Sequence, residues 1–157
     1  MMDILGLEEK IIECKKCDRL VSFREKIARE KRRSYMNWNY WGKAVPGYGD
    51  PNAKIMILGL APAAHGGNRT GRVFTGDKSA DFLFKCLYHV GLANQPNSDH
   101  RNDGLKLDGY ITPAVKCVPP GDKPTADEKA NCEPFLAQEF SLLKRLKVIL
   151  GLGKIGF

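Results

Sequence analysis

A short apolar run that opens into a long glycine-rich loop is the feature that most limits how this chain can fold. Residues 54–60 (KIMILGL) have the length and composition of a buried strand. The loop that follows, residues 59–77 (GLAPAAHGGNRTGRVFTGD), carries a histidine, two arginines, a phenylalanine and an aspartate, and a helical pattern begins directly after it. Because α/β proteins place their ligands where a strand opens into such a loop, we expect the functional site here.

The order of the other elements extends this unit into a sheet. The patterns along the chain predict helix 4–33, strand 54–60, helix 79–92, strand 109–118, helix 126–145 and strand 147–152, with loops at 43–53 and 93–108. Alternation of this kind predicts a parallel central sheet covered by helices, a three-layer α/β/α fold. A chain of 157 residues is long enough for one domain and too short for two. We therefore expect a single domain over 1–157, with a helical part at 1–42 and an α/β part at 43–157.

Local signals refine two of the helices and one strand. Asp77 or Ser79 is a candidate N-cap for the helix at 79–92, and Thr125 with Glu128 has the spacing of a capping box. Pro113 inside a predicted strand indicates a strand end or a bulge near a site. The residues of the helix at 79–92 that we expect to face the core are Phe82, Leu83, Cys86, Leu87 and Val90.

Charge and hydropathy limit the class of partner. The net charge is +7 with a pI near 9.2, which favours a polyanion. Residues 24–33 are strongly basic, and residues 34–43 hold four aromatic side chains. These two stretches either bind phosphates and stack on bases or form a solvated helix and a segment packed on the core. No apolar run is long enough to span a membrane, and the N-terminus has no signal-peptide pattern, so an intracellular, cytoplasmic protein is expected.

Four of the five cysteines have spacing that suggests a metal site. Cys14 and Cys17 form a C-x2-C pair within the predicted first helix, and Cys117 and Cys132 bracket a proline-rich turn. Four thiolates from two distant segments can enclose a zinc ion or an iron–sulfur cluster, and one close pair with two spread cysteines is less typical of zinc. The remaining cysteine, Cys86, is expected to be a core residue. Four unrelated cysteines are the alternative.

Several segments together resemble a known family. The segments GDPNAKIMILGLAP, GNRTGRVFTGD, ITPAVKC and PPGDKPT occur in order after the C-x2-C pair and cover most of the chain. The chain resembles the uracil-DNA glycosylase superfamily, in particular its thermostable iron–sulfur branches, which are called families 4 and 5. The segment GLAPAAHG, where family 4 has an acidic motif, is similar to family 5.

The resemblance implies a function and a cofactor. It implies a monofunctional base-excision-repair enzyme, active as a monomer, that hydrolyses the N-glycosidic bond of uracil or other deaminated bases in DNA. It also implies a [4Fe–4S] cluster on Cys14, Cys17, Cys117 and Cys132, with zinc as the alternative. The competing hypothesis is a non-catalytic nucleic-acid-binding module in which a four-cysteine metal site is structural.

Roles for the loop residues follow from the same resemblance and from the chemistry of the reaction. A carboxylate near the sugar stabilises a positively charged transition state, and Asp77 is the candidate, with His65 orienting water or contacting phosphate. The other residues assigned here are Gly59, Leu60, Ala61, Phe74 and Asp122 for the flipped base and Arg69 and Arg72 for DNA phosphates. The structural alternatives are an N-cap for Asp77, a surface histidine, a packed phenylalanine, a turn aspartate and ordinary loop arginines.

The chain departs from the family pattern in three places. Pro113-Ala114 stands where family 4 has an asparagine that reads uracil, which suggests a looser choice of base. Asp122 stands where related sequences often have asparagine, and a carboxylate there keeps an acceptor but loses the amide donors. A His-Pro-Ser type segment is absent, so we expect the C-terminal part of the fold to be missing and the chain alone to have weak or no glycosylase activity.

Overall fold

A four-stranded sheet forms the centre of the molecule in a computed structural model that describes residues 2–153. The strands are β1 (Tyr48–Gly49), β2 (Ile55–Gly59), β3 (Tyr110–Pro113) and β4 (Val148–Gly151), in the spatial order β1-β3-β2-β4. β2 is parallel to both β3 and β4, with Ile57 opposite Ile111 and Leu150. The predicted α/β class with a parallel central sheet is confirmed. The structure adds an antiparallel edge strand, since β1 pairs with β3 inside the segment predicted as loop 43–53. A two-residue strand is too short to show an alternating pattern.

Within the described residues, five α-helices accompany the sheet: α1 (Ile4–Ile12), α2 (Asp18–Glu30), α3 (Gly67–Thr70), α4 (Lys78–His89) and α5 (Ala126–Leu142). The prediction of one helix over residues 4–33 is wrong, because the chain leaves the helix at Glu13 and starts α2 after Cys17, its N-cap. Cys14 and Cys17 therefore lie in the connection between two helices. None of the helices described is long and apolar enough to cross a bilayer.

Both faces of the sheet carry an apolar layer. Successive residues of a strand point to opposite faces, so Met56 and Tyr110 pack with residues of α1 and α5, whereas Ile57 and Ile111 pack with residues of α4. This arrangement places helices on both sides of β2 and β3, as a parallel sheet requires. The carboxyl ends of these two strands then open toward the loop at 59–77 and the segment after Pro113.

Helix α4 buries only part of the face predicted, since Leu87 is buried and Leu83 packs against the core as expected, whereas the other three predicted residues do not. Its buried residues are Ala80, Phe84 and Leu87, while Phe82 and Val90 are 73% and 66% exposed. Cys86, expected in the core, is exposed as well. Apolar residues occur on both faces of this helix, so periodicity alone did not decide which face would be buried. The N-cap prediction is confirmed for Asp77.

The remaining local predictions can be compared directly with the structure. Thr125 and Glu128 form the capping box at the start of α5, and Pro113 is the last residue of β3. The strand predicted at 147–152 is present as β4 at one edge of the sheet, with half-exposed apolar side chains. The predicted domain limit at residue 157 lies outside the described residues.

Candidate active site and cysteine site

A cleft lies where the loop after β2 meets the start of α4. His65 and Gly66 line it from the loop, Asp77 lines it as the N-cap residue of α4, and Asp122 lines it from the turn before α5. The cleft has about 1110 Å³ of empty space, its open mouth included. The structure thus brings together three predicted site residues, His65, Asp77 and Asp122, which come from three separate segments.

Asp77 has two carboxylate oxygens with different surroundings. Oδ1 accepts the hydrogen bond of the Ala80 backbone N–H at 2.8 Å and so caps α4. Oδ2 lies against the backbone of Gly66, where a Cβ atom would collide with it. Gly66 has a negative φ of −102°, so the requirement for glycine here is one of space and not of left-handed backbone. The helix cap uses Oδ1, so Oδ2 is available to contact a ligand in the cleft.

His65 is held by a tyrosine that the sequence did not single out as a site residue. The Tyr40 hydroxyl lies 2.8 Å from His65 Nδ1, and its oxygen accepts the Arg32 backbone N–H at 3.1 Å. The Tyr40 hydroxyl has one proton to donate, and when it donates to Nδ1 the ring proton lies on Nε2. Burial, with the charges of Arg32 and Arg69, lowers the pKa of His65, so the neutral ring is favoured.

Arg69 is buried and bound within the protein, contrary to its expected place facing DNA phosphates. Its guanidinium lies 3.9 Å from the centroid of Tyr35 and 4.1 Å from that of Trp38. Its Nε donates to the His65 carbonyl at 2.6 Å and its Nη2 to the Gly76 carbonyl at 2.8 Å. Arg69 therefore joins the two ends of the loop that lines the cleft.

Arg72 is likewise 7% exposed and committed to internal partners. Its Nη2 pairs with Asp103 at 2.9 Å and donates to Ser98, while its Nε donates to Thr75. This network holds the loop at 98–103 against the residues before α4. We expected Arg69 and Arg72 to contact DNA phosphates. In the structure, both guanidinium groups contact other groups of the protein.

Residues predicted to receive the flipped base lie in several places. The ring of Phe74, a residue with a φ of 49°, crosses Gly59 so closely that a Cβ there would lie 2.7 Å from the ring. Leu60 lines a separate pocket with Ala114 and Val115, and Ala61 packs on the α1–α5 side of the core. The Gly59 and Leu60 carbonyls accept backbone hydrogen bonds from the segment after β3. Only His65, Asp77 and Asp122 of the predicted residues share the cleft.

Four cysteines line a common pocket between α2, the end of β3 and α5. The residues are Cys14, Cys17, Cys117 and Cys132, and the cavity that they line is small, about 10 Å³. Burial raises the pKa of the Cys117 thiol to about 11 and also raises that of Cys132. Within residues 2–153, no group of three or more His, Cys, Asp or Glu side chains has the geometry that holds a single metal ion.

Three residues of these sites escaped the sequence reasoning. Tyr40 belongs to the aromatic stretch after the basic helix, and that stretch packs against the loop through Tyr35, Trp38 and Tyr40. Gly66 was visible only as part of a Gly-Gly pair. Arg24 was counted among surface basic residues, yet it is 2% exposed and reaches the cysteine pocket.

Comparison with known proteins identifies the family. The model of the uracil DNA glycosylase superfamily matches residues 46–157. A type-5 uracil-DNA glycosylase of Pyrobaculum aerophilum is 48% identical over 149 residues, 94% of this chain and 65% of the relative. A type-5 uracil-DNA glycosylase of Thermus thermophilus is 44% identical over 155 residues, 98% of this chain and 70% of the relative.

Type-4 relatives are more distant. A type-4 uracil-DNA glycosylase of Sulfurisphaera tokodaii is 30% identical over 150 residues, which are 94% of this chain and 53% of the relative. The chain spans less than two thirds of the length of several curated relatives, for example 65% of the Pyrobaculum protein and 57% of a Mycobacterium tuberculosis type-5 enzyme. The family match and these identities show that this chain belongs to the uracil-DNA glycosylase superfamily, with greater similarity to its type-5 than to its type-4 members.

Proposed function

We propose that this chain carries the catalytic site of a DNA glycosylase that hydrolyses the N-glycosidic bond of uracil or another deaminated base. The observation that carries the proposal is the cleft in which the free oxygen of Asp77 and the neutral ring of His65 lie together. The chain that builds this cleft is 44% and 48% identical to two type-5 uracil-DNA glycosylases over nearly all its length.

The substrate reaches such a cleft only as a flipped nucleotide. A base stacked in a duplex is inaccessible, so the enzyme must rotate it out or act on a single strand. The net charge of +7 favours the approach of DNA. Asp122 is exposed at the rim, where its carboxylate accepts hydrogen bonds from the N–H groups of a base.

The reaction breaks the bond between C1′ of the sugar and the ring nitrogen of the base. The electron pair leaves with the base, and a water oxygen forms the new bond to C1′. Asp77 Oδ2 stabilises the positive charge that develops on the sugar and accepts a proton from the attacking water. His65 Nε2–H is the donor in reach of the negative charge that develops on the leaving base.

We also propose that Cys14, Cys17, Cys117 and Cys132 hold a [4Fe–4S] cluster. Four cysteines line one pocket, and their soft thiolates are the ligands that such a cluster takes. Bound there, the cluster supplies a covalent tie between the α1–α2 connection, the chain after β3 and α5, together with one-electron redox capacity.

The substitution Asp77→Asn tests the catalytic proposal. Asparagine is as good an N-cap as aspartate, so α4 keeps its cap and the thermal midpoint stays close to that of the parent. Loss of the charge removes transition-state stabilisation, and single-turnover excision of uracil from DNA falls by about a hundredfold or more. Asp127→Asn, in the first turn of α5 and outside the cleft, makes the same charge change and keeps full activity.

Three readouts separate the proposal from its competitor. Excision rate, DNA affinity and thermal midpoint are measured for the parent and both variants. Unchanged excision in Asp77→Asn overturns the assignment of Asp77. DNA binding that is retained in all three proteins, with no difference in function between Asp77→Asn and the parent, supports the non-catalytic nucleic-acid-binding module instead.

A further inference from the structure

A buried arginine points into the cysteine pocket. Arg24, on α2, is 2% exposed and lines the same pocket as the four cysteines. Its Nη1 donates to Cys117 Sγ and to the Cys14 carbonyl oxygen, both at 3.1 Å. One guanidinium therefore contacts both cysteine-bearing segments at once, the connection between α1 and α2 and the chain after β3.

No carboxylate neutralises this buried charge in the part of the chain that the structure describes. The ion pairs over residues 2–153 are Arg19–Glu128, Arg72–Asp103 and Lys116–Glu139. Arg24 Nε is buried and has no hydrogen-bond partner among the described residues. Burying a charge without a counter-charge costs several kcal/mol, so a site that keeps Arg24 here is built to hold a negative group.

The other cations at the pocket are already engaged. Lys116 Nζ donates to Glu139, to Thr112 Oγ1 and to the Pro113 carbonyl. Its charge is therefore paired with the Glu139 carboxylate. Lys16 is exposed and lies over the Phe135 ring. Arg24 is thus the buried cation at this pocket that has no acidic partner among the described residues. Its charge is available to a group bound in the pocket.

We propose that Arg24 is the counter-charge of the cluster site and an N–H···S hydrogen-bond donor to it. The inference rests on the proposed [4Fe–4S] cluster and goes beyond it by assigning a residue that sets its properties. A cluster with four thiolate ligands is an anion, and its negative charge grows by one on reduction. A fixed positive charge and an N–H directed at a ligand sulfur stabilise the reduced form more than the oxidised form, which raises the reduction potential.

The substitution Arg24→Gln removes the charge, and Arg24→Lys keeps it on a side chain that ends one bond short of the position of Nη1, which makes both hydrogen bonds. Arg29→Gln, an exposed position on the same helix, is the matched control. Each protein is purified anaerobically and compared in iron and sulfide content, in the rate of visible bleaching by a chelator, and in the midpoint potential of the cluster.

We expect Arg24→Gln to lower the equilibrium constant for reduction of the cluster at least tenfold, which is about 59 mV for a one-electron couple. We also expect a chelator to bleach the cluster of this variant about tenfold faster than that of the parent. Arg24→Lys shifts both quantities in the same direction by less, and Arg29→Gln matches the parent. If Arg24→Gln does not fold, Arg24→Lys decides the question alone.

Two failures are distinguishable. An iron-loaded parent whose potential and bleaching rate are unchanged in the Arg24 variants overturns this inference and leaves the cluster in place. A parent without iron and sulfide overturns both the inference and the proposed cluster. Neither readout depends on glycosylase activity, so the proposed reaction is tested separately.

Discussion

At the scale of single residues, the site depends on how its neighbours limit each side chain. The Tyr40 hydroxyl is hydrogen-bonded to His65 Nδ1, and the Arg32 backbone N–H donates to the same hydroxyl. When Tyr40 is the donor in this chain of hydrogen bonds, the ring proton lies on Nε2, and burial and two nearby arginines lower the pKa of the ring. Histidine is then a neutral donor at physiological pH.

The substitution Tyr40→Phe tests this positioning. Without the hydroxyl, His65 no longer has a fixed tautomer, and we expect the rate of base excision to fall about five- to tenfold with little change in KM, since one hydrogen bond is lost. In the parent, His65 becomes charged only below its ordinary pKa of 6.5, so the acid limb of the rate profile lies below that pH.

Tyr88→Phe is the control for the loss of a hydroxyl, because Tyr88 is half exposed on α4. A pH–rate profile measured under single-turnover conditions separates the two variants. Equal rates for Tyr40→Phe and the parent across the whole range would contradict the positioning role.

At the scale of elements, the start of α4 and the loop before it form one unit. The loop turns back at Gly66, Arg69 ties His65 to Gly76, and Asp77 caps the helix while its second oxygen lies against Gly66. The cap and the catalytic candidate are the same side chain, so the geometry of the helix N-terminus sets the geometry of the site.

The substitution Gly66→Ala should separate activity from folding. The added Cβ collides with Asp77 Oδ2, and a carboxylate displaced by a fraction of an ångström loses the alignment that catalysis needs. We expect excision to fall about tenfold or more, while the free energy of unfolding falls by about 1–3 kcal/mol from local overpacking. Excision rate and urea unfolding are measured together; full activity would mean that Oδ2 is not the reacting oxygen.

At the scale of the whole molecule, polar side chains join the helical layer to the sheet. Lys116, Thr112 and Glu139 form a fully buried network between the end of β3 and α5. On the same side, the Tyr110 hydroxyl of β3 donates to Glu8 of α1 at 2.9 Å. Burial, opposed by that hydrogen bond, raises the pKa of Glu8 to about 7, with Glu139 and Asp3 adding to the rise.

This pKa predicts how stability changes with pH. The folded pKa is above the unfolded value near 4.5, so the folded protein binds the proton more tightly. The stabilisation is complete below pH 4.5 and is lost as pH rises to about 7. Glu8→Gln keeps an acceptor for Tyr110 and removes this slope. We expect the variant to be more stable than the parent by about 1 kcal/mol at pH 8, after allowance for solvent screening.

Glu9→Gln is the matched control, since Glu9 is exposed on the same helix. Urea unfolding at pH 4.5, 6 and 8 gives the difference between each variant and the parent. If the difference in the free energy of unfolding between Glu8→Gln and the parent does not grow from the lowest to the highest pH, burial does not raise the pKa of Glu8.

Patterns within a few residues of one another determined much of this fold. The apolar runs at 54–60 and 147–152 predicted β2 and β4, Thr125 and Glu128 predicted the capping box, and Asp77 was a predicted N-cap. These predictions succeeded because strand length, caps and breakers are set by neighbours in the chain. The family motifs, read in order, were also sufficient to indicate the superfamily.

Tertiary structure alone decided which side chains face each other across the chain. Arg24 and Cys117 are 93 positions apart, and Tyr40 and His65 are 25 apart, so no local pattern links them. The same holds for Arg69 and Arg72, which look like surface arginines in sequence and are buried by the aromatic segment and by Asp103. The sequence by itself determined the central strands, the caps of α4 and α5, and the residues His65, Asp77 and Asp122 of the cleft. Packing determined which charges are buried, because burial depends on what the rest of the chain brings against each side chain.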